Sequence, residues 1–386
     1  MTDLAAPPSP TSRNASRAYV LALLTLVYTF NHIDRQVLVI LLEPIKADLK
    51  LDDAQLGLLT GLAFAAFYAT LGIPMAMWAD RGNRRTIISL SLAVWSGMTA
   101  VSGLAQNFWH LLVARMGVGV GEAGGTPPAT SIFIAGIPGL ILALLVRFTL
   151  KEPKRGAIEQ RVDDGEAPSI GETLKFISGQ TSFLLLLLGC CLICVSANAF
   201  LVFTSSHLQR TFDVGPGDVS IPLGLLIGGV GGVGAVVVGK ICDRMSSKNL
   251  AWRPWTIAAC GALALPFAWL FLQADSIGLA YAWNVVPSFV GLIYASVAYT
   301  ASQELVGLRM RSFASAFMLL CLTLIGIGGG PTFAGWLSVQ FSDAGSTTPL
   351  KSALEIILLL NAASILFLVL SGRYYARDAA RAAKLV

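Results

Sequence analysis

Charge is what this sequence has least of. Only 13% of its 386 residues are Asp, Glu, Lys or Arg, about half of the roughly 25% usual in a soluble domain. With 55% hydrophobic residues and a mean hydropathy of +0.70, a water-soluble globule is excluded. Histidine is scarcer still, at three residues, His32, His110 and His207. None of the six cysteines (Cys190, Cys191, Cys194, Cys242, Cys260, Cys321) stands in metal-ligand spacing with them, so no metal is expected and the cysteines read as small buried hydrophobes. A catalytic triad and a phosphate-binding loop are missing too. The glycine-rich run from Gly224 to Gly234 has no strand before it and no Lys-Ser/Thr after it. These absences argue against an enzyme, a cofactor and ATP drive. The formal charge of +5 falls in short patches between apolar runs, which excludes a nucleic-acid partner.

What is present is a series of apolar runs, each near the 20 residues a spanning helix needs. Eleven spans are expected, near 18–42, 55–79, 86–105, 108–131, 133–150, 182–207, 219–241, 254–273, 278–301, 312–338 and 353–371. All must be helical, because an open strand cannot satisfy its backbone in lipid. The Pro- and Ser-rich residues 1–17 read as a disordered tail, and the run after them has no small-residue cleavage site, so it reads as retained.

Lys and Arg concentrate at Arg13 and Arg17, at Arg81, Arg84 and Arg85, at Lys151, Lys154 and Arg155, at Arg244, Lys248 and Arg253, at Arg309 and Arg311, and again from Arg373 to Lys384. The alternate connections carry Glu43, Asp48, Asp52, Asp53, Asp213, Asp218, Asp275 and Asp343 with few bases. The bias places both termini and the hydrophilic linker 151–177 in the cytoplasm. An integral protein of the inner or plasma membrane is expected, with a first half over 18–150, a second over 178–372 and a basic tail over 373–386.

Parity then fails. Two basic connections, at 81–85 and 151–155, must be joined by an even number of crossings, yet three apolar runs lie between them. An internal repeat sharpens the point. Asp80-Arg81-Gly82-Asn83-Arg84-Arg85 follows the second span, and Gly239…Asp243-Arg244 follows the second span of the later half. Asp80 to Leu150 covers 70 residues and Asp243 to Leu370 covers 127, a shortfall of 57. Repeat-built halves should match in length. One span is therefore read as missing, with the break near Ser131–Phe133; the alternative is one crossing plus a re-entrant or surface segment over 108–150.

Four ionisable residues sit inside apolar runs: Asp34 and Arg35 in the first, Arg115 and Glu122 in the fourth. A charge at bilayer depth costs at least about 2.5–3.5 kcal/mol, so such groups pair or line a wet path. Arg115 and Glu122 are seven apart, hence on one helix face and about 10.5 Å apart along it. One arrangement pairs Asp34 with Arg115 and turns Arg35 towards Glu122 and an anionic headgroup, which the guanidinium fork suits. His32, three residues before Arg35, could line the same cavity. A wholly structural four-charge network is the competing reading. Glycines 117, 119, 121, 124 and 125 read as packing. The Asp80/Arg81/Arg84/Arg85 and Gly239/Asp243/Arg244 repeats read as charge locks that hold one state of a two-state protein. Glu304 is expected to pair with Arg309 and Arg311 beyond it, and His110 and His207 to lie at the membrane interface.

The pattern Gly-x-x-x-Asp-Arg-x-x-Arg-Arg resembles the signature of the major facilitator superfamily, with Ala76 at the usual leading glycine and Ser247-Lys248 weakening the second copy. More narrowly, Asn31…Asp34-Arg35, Gly121-Glu122-Ala123, Gln303-Glu304-Leu305-Val306 with Arg309-Met310-Arg311, and Gly326…Gly330-Pro331 resemble the Spinster branch. The resemblance implies an all-α polytopic fold of two helical halves around a central cavity, here with about eleven spans instead of twelve, working by alternating access. It further implies proton coupling through Asp34 and Glu122 and headgroup recognition through Arg35, joined by Arg115, Asn31 and His32, for lysolipid or sphingosine-1-phosphate-like substrates. Protons, membrane lipids and that anionic amphiphile would be the partners of a monomer. Two other readings stay open: a proton-linked antiporter of drugs or organic anions, and a truncated, non-transporting scaffold or sensor.

Overall fold

A computed structural model describes residues 38–81, 84–122 and 169–384, without the side chains of 72–81, 84–89, 92 and 120–122. Among the described residues every regular element is helical, as backbone in hydrocarbon demands. In chain order these are α1 (Leu42–Leu49), α2 (Asp53–Thr60), α3 (Leu62–Arg81), α4 (Arg84–Ser102), α5 (Phe108–Glu122), α6 (Ile170–Ser178) and α7 (Thr181–Phe212). Then come α8 (Pro216–Ser246), α9 (Trp252–Leu272), α10 (Ile277–Glu304), α11 (Leu308–Asp343) and α12 (Pro349–Ala383).

Seven described stretches are long and apolar enough to cross a membrane: Asp53–Leu71 and the whole of α7 to α12. Each matches an expected span, and α4 and α5 lie where the third and the start of the fourth were expected. The first run up to 37, the run over 133–150, the break near 131–133, the tail 1–17 and most of the linker fall outside the described residues.

Several helices outlast their apolar runs, for a physical reason. α12 continues to Ala383 through the residues assigned to a basic tail, because Tyr375, Asp378, Ala379 and Ala382 recur on one buried stripe. Asp378 accepts the Ser182 N–H at 2.9 Å, satisfying a donor that the start of α7 would otherwise leave open. Within the expected linker, α6 is opened by a capping box in which Ser169 and Glu172 exchange hydrogen bonds.

Three spans of the later half are interrupted midway. α8 contains a π-turn at Leu225–Val230 and α11 another at Leu322–Gly328. α10 breaks at Leu292, five residues past Pro287.

The chain divides into two compact units. One takes Met1–Leu38 and Phe67–Gln160; in it α4 and α5 pack as a hairpin, Gly117 lying against Met98 and Trp95 fully buried. The other takes Val39–Ala66 and Arg161–Val386, so a piece of the first apolar half belongs with the second. Its core is built on α7, whose Phe183, Leu186, Cys190 and Cys194 meet Ala298 and Ala301 of α10, Met318 of α11 and Leu368 and Tyr375 of α12.

Candidate functional site

The close approach of α2 to α11 starts from glycine. A Cβ at Gly57 would run into the Pro331 carbonyl, one at Gly61 into Gly328, and one at Gly335 into the backbone of Asp53. Spacing of four between Gly57 and Gly61 puts both on one helix face, so the two backbones touch. The turn at Gly61 frees the Leu62 N–H, and the Thr332 hydroxyl accepts it at 3.1 Å while donating to Gly328 O at 2.8 Å.

That contact delivers Asp53, 6% of its side chain exposed, to the end of α7. Arg210 grips it with two parallel bonds, Nη1 to Oδ2 and Nη2 to Oδ1, both 2.7 Å. Lys46 Nζ reaches Oδ1 at 2.7 Å and Ser338 Oγ donates to Oδ2 at 2.6 Å. The same guanidinium holds Glu43, Nε to Oε2 at 3.0 Å and Nη2 to Oε1 at 2.7 Å. Two acids and two bases balance in charge across α1, α2 and α7, with a neutral donor from α11. Bidentate pairs of this kind are among the stronger polar contacts.

A second ionic chain lies at the other end of the spans. Asp243, near the end of α8, accepts from Arg253 Nη1 at 2.8 Å. Arg253 turns Nε and Nη2 to Glu304 Oε1 at 3.2 and 3.0 Å, and the Tyr375 hydroxyl donates to Glu304 Oε2 at 2.9 Å. Four spans, α8, α9, α10 and α12, are thereby stitched together at one end.

The residues singled out from sequence fare unequally. Asp243 is engaged in an ionic chain, but Arg244 is exposed and takes no ion pair among the described residues. Gly239 has room for a side chain, its nearest neighbour being the tip of Ile293; the tight approach is at Gly234, against the Phe289 carbonyl. Glu304 does not go to Arg309 and Arg311 as expected: the start of α9 brings Arg253 to its carboxylate instead. His207 is 3% exposed, its ring tilted against Phe271 with centroids 5.4 Å apart. Asp80 and Arg81 close α3, and Arg84 and Arg85 open α4. Arg115 is 7% exposed on α5, and Glu122 is the last residue of that unbroken helix, which keeps the two on one face. Asn31, His32, Asp34 and Arg35 lie outside the described residues.

Sequence reasoning missed Asp53, Glu43, Lys46 and Arg210, treating the acids as markers of sidedness. Two signals were there: Gly57 and Gly61 four apart in a span, and Arg210 as a lone base closing a 34-residue run, 176–209, without Asp, Glu, Lys or Arg.

Two segments, residues 24–135 and 130–331, match the family described as Major Facilitator Superfamily. The chain belongs to the major facilitator superfamily. The two matched segments meet at 130–135, where the shortening is expected. Within the superfamily the chain is 28% identical over 379 residues to an MFS-type efflux pump of Mycolicibacterium smegmatis, covering 86% of this chain and 87% of that protein. It is 27% identical over 392 residues to human protein spinster homolog 1, covering 83% and 73%. A solved bacterial homolog of the human lysosomal transporter Spinster, in an inward-facing and unoccupied conformation, superposes with TM-score 0.79 at 28% identity, over 98% of this chain and 99% of that one. The nucleoside transporter NupG shares the fold alone, with TM-score 0.68 at 13% identity over 91% of this chain and 99% of that one. The superfamily member described here is thus a polytopic membrane transporter similar to the Spinster branch.

Proposed function

We propose that this transporter moves an anionic amphiphile, a lysophospholipid or sphingosine-1-phosphate-like lipid, by proton-coupled alternating access. The observation that carries the reading is the Arg210 cluster, which fastens Val39–Ala66 to α7 and α11. Charge networks at opposite ends of the same spans suit a protein that closes one end while opening the other. The Asp53–Arg210 cluster and the Asp243–Arg253–Glu304 chain occupy those ends, since α7 and α8 run consecutively and antiparallel. The solved Spinster homolog, inward-facing and unoccupied, supports assigning the Arg210 end to the outer, closed side. Cytoplasmic termini and the inner or plasma membrane follow from the charge bias of the loops.

In this mechanism Asp34 and Glu122 carry the protons. Each is an acid in an apolar run, where desolvation favours the neutral form and a nearby guanidinium the ionised one. Arg35 and Arg115, with Asn31 and His32, bind the phosphate or carboxylate head. Asp80, Arg81, Arg84 and Arg85, with Gly239, Asp243 and Arg244, hold the inner side when it closes. The likeness to the M. smegmatis efflux pump favours one second reading, proton-linked export of drugs or organic anions.

Uptake of a lysophosphatidic acid into proteoliposomes, driven by an imposed pH gradient, tests the proposal. Glu122→Gln is expected to lower gradient-driven flux at least tenfold. Equal flux for the two proteins removes the coupling, and an absence of flux in the unaltered chain leaves the non-transporting scaffold or sensor.

A further inference from the structure

The later half contains no Asp, Glu, Lys or Arg at mid-depth. None occurs in α7 before Arg210, in α10 before Glu304, in α11 between Arg311 and Asp343, or in α12 between Glu355 and Arg373. Any polar recognition by this half therefore rests on uncharged groups. Such groups gather at one place, where the interruptions of α10 and α11 meet.

At the centre of that place is Cys194, midway along α7. Its Sγ lies 3.2 Å from the Tyr294 hydroxyl of α10, two residues past the break at Leu292. It also contacts Leu322 O, the first carbonyl of the π-turn in α11, at 3.6 Å. Gly326 in that turn sits directly against Cys194, with no space for a Cβ. On the other flank, Gly231 and Gly234, just past the π-turn of α8, press on the carbonyls of Ser288 and Phe289 ahead of the same break. Irregular backbone at membrane depth is tolerated where protein buries it or where it lines a cavity, and π-turns recur at functional sites.

One turn beyond Cys194, Asn198 donates both amide hydrogens back to it, 2.9 Å to O and 3.3 Å to Sγ. That fixes the amide and leaves its carbonyl oxygen with no hydrogen bond among the described residues. Asn198 and Tyr294 are both half-buried, and the Tyr294 hydroxyl lies against both Cys194 and Asn198. Thr323, in the π-turn, buries a hydroxyl with no hydrogen-bond partner among the described residues. Polar groups so placed are costly unless something pairs with them.

We propose that Asn198 and Tyr294 form a neutral hydrogen-bonding subsite for the uncharged backbone of the substrate, a hydroxyl or ester group next to the charged head. The inference rests on the amphiphile reading above and narrows it: the substrate carries a glycerol-like or amino-alcohol-like linker, not a bare alkyl chain. The Asn198 oxygen accepts from a substrate hydroxyl, and the Tyr294 hydroxyl donates to an ester or amide carbonyl.

Equilibrium binding to the full chain in nanodiscs tests this with two probes of equal chain length. One is a lysophosphatidic acid; the other is an alkyl phosphate, with the same head but no hydroxyl or ester. The unaltered protein is expected to prefer the first about tenfold, roughly what one well-formed hydrogen bond contributes. Tyr294→Phe, which removes a single oxygen, and Asn198→Leu are each expected to bring the ratio towards one while leaving alkyl phosphate affinity unchanged. Tyr294→Phe decides the matter alone if Asn198→Leu does not fold. A ratio near one in the unaltered protein, or a tenfold ratio that survives both substitutions, overturns the subsite and spares the amphiphile reading. If neither probe binds, that reading falls and takes the subsite with it.

Discussion

Arg210 makes four hydrogen bonds, two to Asp53 and two to Glu43. Its planar fork serves Asp53 and Glu43 at once, an arrangement the single ammonium of lysine cannot reproduce. Arg210→Lys should therefore weaken the cluster even though charge is kept. With 27% of the arginine side chain exposed, the cost is set at about 1–2 kcal/mol, below that of a fully buried charged pair. Spin labels at exposed Asp48 and Asp213 would report the consequence, the unaltered protein giving one short distance and Arg210→Lys adding a longer population. An unchanged distribution would mean the cluster does not hold Val39–Ala66 in place. Glu172 offers a pH test outside the spans. Hydrogen bonds from the Ser169 backbone and hydroxyl hold its carboxyl below the ordinary glutamate range. A depressed pKa contributes stability above the unfolded value, about 4.3, and that stability is lost as pH falls through the folded value. Amide exchange across 170–178, corrected for its intrinsic pH dependence, should accelerate relative to α7 below about pH 4.3. Ser169→Ala should accelerate it already at neutral pH.

Helices here meet at glycine, and the consequences belong to whole elements. α2 lies on α11 through Gly57, Gly61, Gly328 and Gly335, so one added side chain moves a segment and not merely an atom. Gly57→Leu is expected to cost about 1–3 kcal/mol by overpacking. It should also separate Asp53 from Ser338, since both sit on the helices being forced apart. A lower melting temperature together with the longer Asp48–Asp213 distance is the expected pair of results. Gly239→Ala should leave melting near that of the unaltered protein, because a Cβ there meets only the Ile293 tip at ordinary contact distance. The contrast separates glycines that set helix spacing from those that do not. The spans α8, α10 and α11 share another property of elements, an interruption at mid-depth; those of α10 and α11 meet at Cys194, and that of α8 packs on α10 just ahead of its break.

For the whole molecule, transport demands that groups far apart in sequence act together. Restoring about 57 residues near Ser131–Phe133 should raise pH-driven lysophosphatidic acid flux if the shortening handicaps the carrier. Flux that is unchanged by restoration would mean that the shorter chain is already a complete transporter. Much of this protein was legible in its residues. The spans around 182–207 or 254–273 could be read because hydrocarbon leaves a backbone no partner but itself, so length and apolarity suffice. Interruptions were harder, since Pro287 hints at one break while the π-turns have no comparable mark. Partners were harder still. Glu304 lies five residues from Arg309 yet pairs with Arg253, 51 residues away, and Asp53 finds Arg210 across 157. The sequence by itself determined the helical class and the family, because those depend on solvent and on local spacing. Only the tertiary structure decided which charges meet and which glycines bear on a neighbour, because an ion pair or a close contact is a property of helices brought together, not of either one alone.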